Sequence, residues 1–235
     1  MTRPVLVLWD LDLTLLRPAG FGARMIAPAL AEFLGREPVV AASFAGRTDR
    51  AILTDLLEAN GVVGPDDDVV LALMDTVATR CERFSEDLVD SGGGPLPGAH
   101  DAVRALASVP GLHQGIVTGN MRRTALLKLR VCGFGDVPDP ALGAFGDHHL
   151  HRADVVREAM RVAGDRGPDV PPARTVIIGD HTLDVRGALD AGVRCVGVAT
   201  GLVTADDLRA AGAHAVLPDL TDADLLLDAL GTATR

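Results

Sequence analysis

The sequence predicts an α/β fold, a parallel sheet buried between helices and interrupted once by a helical insertion. Three observations carry this expectation. Short, almost wholly apolar runs at residues 5–9, 115–117 and 176–178 each stop abruptly at polar groups. Runs of that length suit strands covered on both faces. In the second half of the chain, amphipathic helical patterns alternate with such runs, as in strand–helix–strand units. Between the first run and the second, by contrast, only helical patterns occur.

Taken in order, Val5-Leu6-Val7-Leu8-Trp9 is the first strand, and it ends at Asp10-Leu11-Asp12. In extended chain, positions i and i+2 point the same way, so the two carboxylates converge. Paired carboxylates repel unless a cation or a shared proton relieves them, which points to a divalent metal, an acid/base pair or both. The alternative is a helix cap and a solvated turn. Residues 15–20 read as a hinge. Three helical patterns follow, at residues 21–34, 48–60 and 66–88. The last repeats Val70, Met74, Val77, Cys81, Phe84 and Leu88 in steps of four and three, behind the acidic start Asp66 to Asp68. The Gly/Pro run at residues 91–98 reads as a linker.

From there the spacing predicts a helix over 99–108, a strand at Gly115, a helix over 121–131 and a helix over 152–163. A strand at Val176 follows, then strands over 195–198 and 213–217 flanking a helix over 205–211. Residues 165–172 read as a polar, Pro-rich surface loop. The second and third strands end at Thr118-Gly119-Asn120 and at Gly179-Asp180, with Asp184 four residues on. Ligands of open parallel sheets bind beyond the carboxyl ends of strands, so these groups and the Asp10/Asp12 pair describe one site.

Composition narrows the function classes. A chain of 235 residues, 48% hydrophobic, has ample material for a core, as one domain or a domain with a small insertion. A formal net charge of −10 argues against a nucleic-acid partner, and with one Trp and no Tyr, base stacking is not a credible function. No apolar run reaches membrane-span length. Met1-Thr2-Arg3-Pro4 leads straight into a strand without a signal-peptide pattern. Cys81, Cys132 and Cys195 lack zinc spacing and read as reduced core residues of a cytoplasmic protein. Neither a Walker loop nor a dinucleotide Gly fingerprint is present.

Asp10-Leu11-Asp12-Leu13-Thr14, Thr118-Gly119-Asn120 and Gly179-Asp180-His181-Thr182-Leu183-Asp184, in that order and continued by Asp190-Ala191-Gly192, resemble the motifs of the haloacid dehalogenase superfamily of phosphatases, with phosphoglycolate phosphatase-like members closest in layout. The resemblance runs from about Val5 to Leu217. It implies a Rossmann-like α/β core over residues 1–17 and 92–235 and an inserted α-helical cap domain over residues 18–91. It implies phosphoryl transfer through an aspartyl-phosphate, with Asp10 as nucleophile and Asp12 as general acid, then base. It further implies Mg²⁺ held by Asp10, Asp180 and Asp184 with the backbone carbonyl of Asp12, a pattern suited to a hard cation that also meets substrate phosphate. Thr118, with Gly119 and Asn120, would bind the phosphoryl oxygens. The substrate would be a small phosphorylated metabolite, phosphoglycolate-like or a sugar phosphate, and the chain a monomer or homodimer with no nucleic-acid or membrane partner.

Two departures from the family pattern stand out. Relatives usually carry Gly where this chain has Leu13, and since Leu needs ordinary backbone angles, the turn is expected not to use positive φ there. The family's third motif normally supplies a Lys, and none falls in the expected segment. Arg152, at a helix start, is the substitute, the alternative being an exposed surface Arg. Lys128, the only Lys, falls inside a helix and is expected on its external face. Arg47, after Gly46 in the insertion, is the cap residue expected to meet the leaving group, although a loop ahead of a helix capped by Thr48 or Asp49 is the plainer reading. His148, His149 and His151 read as a solvated rim rather than a metal cluster. His181 reads as making a local hydrogen bond.

Rival functions remain open on these residues. A dehalogenase does not need Asp12. A sugar-phosphate mutase of the β-phosphoglucomutase kind keeps both acids and the cap. A non-catalytic regulatory module would not need the whole acidic set.

Overall fold

The structure is a computed structural model that describes residues 4–167 and 169–231. The expected absence of a leader at Met1 to Arg3 falls outside the described residues. Five parallel strands form one sheet in the order β4-β1-β5-β6-β7: β1 (Val5–Trp9), β4 (Leu112–Ile116), β5 (Thr175–Gly179), β6 (Arg194–Val198) and β7 (Ala215–Leu217). β1 lies between β4 and β5, with Trp9 level with both Ile116 and Ile178. The chain segments that follow these three strands therefore leave the sheet side by side.

Strand alternation builds two cores. Val7, Trp9, Ile116, Val176, Ile178 and Val196 belong to one apolar cluster, and Leu6, Leu8, Ile177 and Cys195 to the other. The first is completed by α5 (Ala99–Ala107), α6 (Arg122–Val131) and α10 (Ala223–Leu230), the second by α7 (Arg152–Arg166), α8 (Thr182–Asp190) and α9 (Ala205–Ala210). The one Trp is fully buried, and its indole N–H donates to Gln114 Oε1 at 2.9 Å, so its polar edge is satisfied. All three cysteines are free and buried. Among the described residues, no helix is long and apolar enough to cross a membrane.

Between β1 and β4 the chain forms α1 (Phe21–Leu34), α2 (Asp49–Ala59), α3 (Asp67–Arg83) and the short α4 (Asp87–Asp90). Thr48 caps α2 and Asp66 caps α3, each side chain accepting a first-turn N–H. The helix expected over 66–88 is broken at Phe84, whose backbone leaves helical geometry before α4 returns Leu88 to the core. The Gly/Pro run is more than linker. Gly94–Pro95 (β3) pairs antiparallel with Leu16–Arg17 (β2), so the helical segment departs and returns through one small ribbon. The expected loop over 165–172 begins two residues later, because α7 continues to Arg166. α10 lies beyond the stretch covered by the motif resemblance.

The helical segment is fastened to the sheet's carboxyl edge. On α3, Asp75, Thr79 and Glu82 hold Arg123 of α6. The start of α2 lies against the loops after β4: Asp49 N donates to Gly119 O at 2.7 Å and Arg50 N to Gly146 O at 3.2 Å. Gly119 is required there, because a Cβ would collide with the Arg47 carbonyl.

Candidate active site

Asp10 extends the β1 ladder, its N–H donating to Ile178 O at 2.9 Å, and Val117 extends β4 by donating to Trp9 O at 2.9 Å. This register brings Asp10, Thr118 and Asp180 to one edge of the sheet. α8 then starts at once, and Asp184 in its first turn faces back: its Oδ2 accepts the His181 N–H at 3.1 Å, while His181 Nδ1 accepts Leu183 N at 3.1 Å. His181 therefore makes the expected local bond, as one half of a capping box. Burial pushes its ring pKa down, in keeping with a neutral acceptor.

Asp10, Asp180 and Asp184 are all buried, and each offers a carboxylate oxygen within 4.8 Å of the others. Burial is the main reason that the pKa values of Asp10 and Asp180 are raised. Arg152 opposes the shift at Asp10, whereas at Asp180 the neighbouring Asp10 and Asp184 add to it. Such a set is short of positive charge. Asp184 Oδ1 is ion-paired to Arg152, whose Nη2 lies 2.5 Å away. Three converging hard oxygen donors, two of them on carboxylates whose charge burial opposes, fit a divalent cation of the Mg²⁺ type. The carboxylate of Asp12 is not in this cluster.

Arg152, the first residue of α7, is buried, with Nη2 2.5 Å from Asp10 Oδ1 and 3.2 Å from Val117 O. The surface alternative for this residue is thereby excluded. Burial works against its charge, but Asp184 and Asp10 more than offset that effect and its pKa is raised. Thr118 is fully buried and accepts from Asn120 Nδ2 at 3.0 Å.

Lys128 corrects the sequence expectation. It is not on an external face: its side chain is 2% exposed, and Nζ donates to Asp12 Oδ1 at 2.8 Å, Asp12 Oδ2 at 2.6 Å and Asn120 Oδ1 at 2.6 Å. All three ammonium protons are used. The signal was present in the sequence, since Lys128 stands at steps of three and four from Met121, Thr124, Ala125 and Cys132, which are all buried. Asn120 ties the pair together, its Nδ2 also donating to Asp12 at 3.1 Å.

Leu13 is a second correction. It has φ 64, in the left-handed region, so the turn after Asp12 does use positive φ despite the side chain. The conformation costs about 1–2 kcal/mol for a residue with a Cβ. It is held by Leu13 N donating to Leu16 O at 2.7 Å and by Thr200 Oγ1 donating to Leu13 O at 2.6 Å. Thr14 donates to Asp180 at 3.2 Å and was not anticipated as a site residue. Nor was Asp49, which lines the same cavity and accepts Met121 N at 2.8 Å.

Arg47 also lines the cavity, but its guanidinium is turned to Asp55, 2.7 Å away, and to the carbonyls of Ser43 and Ala51. Gly46 permits a close approach to the His181 ring, which a Cβ there would strike. His148 and His151 are exposed and His149 half-buried, and none belongs to the acidic cluster. The cavity encloses about 370 Å³, bounded by Asp10, Asp12, Asp180 and Arg152 at one end and by α1, α2 and the loop before α2 at the other.

Residues 146–223 match a family model described as HAD-hydrolase-like. No curated protein matches the chain at a significant level. Among solved structures, the chain is similar to a predicted phosphatase from Clostridium acetobutylicum (TM-score 0.67, 19% identity, 97% of this chain and 98% of that one). It is also similar to a provisionally named beta-phosphoglucomutase from Bacteroides vulgatus (TM-score 0.69, 17% identity, 99% and 91%). A HAD family hydrolase from Deinococcus radiodurans, solved with bound phosphate and sodium, aligns over the full length of both chains with a TM-score of 0.57 and 25% identity.

Proposed function

We propose that this chain, haloacid dehalogenase-like in fold throughout and in sequence pattern over residues 146–223, is a Mg²⁺-dependent phosphatase of small phosphate monoesters. The observation that carries the reading is the convergence of Asp10, Asp180 and Asp184 within 4.8 Å, beside a buried Arg152 and Thr118. A carboxylate is a weak nucleophile, so the phosphoryl oxygens must be neutralised for it to attack. Asp10, Asp180 and Asp184, with the Asp12 carbonyl, would hold Mg²⁺, which when bound supplies the positive charge these buried carboxylates lack and neutralises a phosphoryl oxygen.

The chain's own groups do the rest. Arg152 is fixed against Asp10 and bears on a second phosphoryl oxygen, and Thr118 offers its hydroxyl proton to a third. Asp10 attacks phosphorus as the bond to the leaving alkoxide breaks, giving an aspartyl-phosphate, and Asp12 supplies the alkoxide's proton. Asp12 then takes a proton from water as it attacks phosphorus, releasing phosphate and restoring Asp10. Lys128 and Asn120 hold Asp12 for both transfers. A phosphomutase is the second reading, favoured by the likeness to the Bacteroides vulgatus protein.

The test is phosphate release from p-nitrophenyl phosphate and a metabolite panel, with Mg²⁺ and after exhaustive chelation. Free phosphate that depends on Mg²⁺ is expected, whereas isomerised sugar phosphate without net release would favour the mutase. Independently of turnover, saturating Mg²⁺ should raise the melting temperature of the wild type, with a gain of about 2.7 kcal/mol at a hundredfold excess over Kd. Asp180→Asn should lose most of that gain. An equal Mg²⁺ shift in both proteins would remove Asp180 from the metal site.

A further inference from the structure

The cavity has two chemically unlike ends. Its apolar lining includes Leu13, next to Asp12, and, on the helical segment facing the carboxylates, Ala23, Ile26, Phe44 and Ile52, with Leu202 beside them. Leu202 is 82% exposed, an apolar side chain left in water where the cavity opens. Leu13 is kept in a left-handed conformation that a Gly would relieve, and its side chain forms part of this wall. On α1, Gly22 also lines the space, and a Cβ there would meet nothing within 4 Å, so room remains beside it.

The arginines, Lys128 and Asn120 along the cavity are already engaged. Arg47 is held by Asp55 and two carbonyls. Lys128 spends its donors on Asp12 and Asn120, and Asn120 in turn binds Asp12 and Thr118. Arg152 is committed to Asp10 and Asp184 at the phosphoryl end. Among the described residues lining the cavity, no cation is left to pair with a second anion on the substrate. A carboxylated leaving group laid on this wall would lose water without gaining a cation, and a polyhydroxylated one would find only Asp49 and the His181 ring for its several hydroxyls. An apolar group would lose nothing by leaving water.

We propose that the site takes phosphate monoesters of compact apolar alcohols, with the alkyl or aryl group against Leu13, Ile26, Phe44 and Ile52. For its phosphoryl end the proposal rests on the phosphatase reading, and it departs from the phosphoglycolate or sugar phosphate that the motif resemblance implies. The reaction is R–O–PO₃²⁻ with water giving R–OH and HPO₄²⁻: the bond from phosphorus to the alcohol oxygen breaks, that oxygen gains a proton, and water supplies the new oxygen on phosphorus. A cavity of about 370 Å³ is at the small end for ligand sites, which sets the compactness.

The experiment pairs binding with turnover in the presence of Mg²⁺. Ethyl-, butyl- and hexylphosphonate and phosphonoacetate are titrated calorimetrically, and kcat/KM is measured for ethyl, butyl and hexyl phosphate, phosphoglycolate and glucose 6-phosphate. Affinity and kcat/KM should rise about fourfold per methylene, the equivalent of about 0.8 kcal/mol, until the cavity is filled. Phosphonoacetate should bind at least about tenfold more weakly than butylphosphonate. Leu13→Gly, which suits the backbone already present, should flatten the chain-length dependence, and Gly22→Leu should shorten the longest chain accepted. Length-dependent binding with no turnover of any ester would reject the phosphatase reading and retain the apolar subsite. Turnover that favours phosphoglycolate or glucose 6-phosphate over butyl phosphate would do the reverse. Affinity that is flat across the alkyl series overturns the proposal.

Discussion

Asp10 and Asp12 stand two residues apart at the end of β1, and each has its own cation, but the two pairs are built differently. Asp10 and Arg152 are both buried, with side-chain exposures of 9% and 7%, and Arg152 is shared with Asp184. Asp12 is 31% exposed, whereas its partner Lys128 is 2% exposed. The first pair is locked among fixed charges in a low-dielectric setting, which suits a nucleophile that must meet phosphorus at one angle. The second is anchored from the protein side and open to the cavity, which suits a group that passes protons to ligand and water. The lesson is that a single strand end presents one carboxylate for position and one for traffic, with the difference set by which partner is buried.

The largest expected effect separates the two carboxylates themselves. Asp10→Asn should lower phosphate release by at least ~10⁴-fold on every ester, as removal of a nucleophile does. Asp12→Asn should slow phosphate release from both esters, because hydrolysis of the shared aspartyl-phosphate lacks its base. Release of the leaving group in the first step should be severely slowed only for alkyl esters, and far less for p-nitrophenyl phosphate, whose leaving group needs no proton. Single-turnover assays with both esters check this. Near-normal release by Asp10→Asn would break the assignment, and equal slowing of leaving-group release by Asp12→Asn on the two esters would erase the distinction between the pairs.

The cations should divide in the same way at smaller cost. Arg152→Ala is expected to lose a hundredfold or more in kcat, whichever ester is used, because a transition-state charge partner is gone. Arg152→Lys should recover part of it, though one ammonium cannot reproduce the guanidinium fork. Lys128→Met keeps the volume of the buried chain and should slow single-turnover release of the leaving group about ten- to a hundredfold for alkyl esters, with little loss for p-nitrophenyl phosphate. A uniform loss across leaving groups for Lys128→Met would move Lys128 from the acid/base pair to the phosphoryl site.

Much of this arrangement was legible in the sequence, for reasons that differ by residue. β1 and β5 were readable because strands buried on both faces are written as unbroken apolar runs, and Asp10 and Asp180 because those runs end at them. Arg152 was found through a gap, since a required positive charge had no Lys to carry it. Lys128 was missed because a charged residue on a helix is usually solvated, although its place in the buried stripe of α6 argued otherwise. Leu13 was misjudged because side-chain identity was allowed to dictate backbone angle. In the fold, the hydrogen bonds to Leu16 and Thr200 outweigh an unfavourable φ. The Arg47–Asp55 pairing depends on how the loop before α2 turns back along that helix, and the contact of Asp49 with the loop after β4 on how the helical segment lies against the sheet edge. Local spacing carries no record of that.

Asp49 offers the finest test of how burial sets these carboxylates apart. It lies in the same cavity, but its nearest support is one backbone N–H, from Met121, instead of a paired cation. Burial pushes its pKa from the ordinary 3.8 up to about 6, with the Met121 bond opposing the shift. A carboxyl whose pKa is higher in the folded state contributes stability that is fully present below the unfolded value and is lost as pH rises through the folded value. For Asp49 that window runs from about 4 to about 6. Above it, the protein carries the cost of a half-buried, weakly compensated charge, of order 1–2 kcal/mol. Asp49→Asn keeps an oxygen for the Met121 N–H and carries no charge. Its melting temperature relative to wild type should therefore be several degrees more favourable at pH 8 than at pH 4.5, measured without Mg²⁺ so that metal binding does not enter the comparison. A difference between mutant and wild type that is the same at both pH values would show that Asp49 titrates as an ordinary carboxylate, and that Lys128 serves it as well as it serves Asp12.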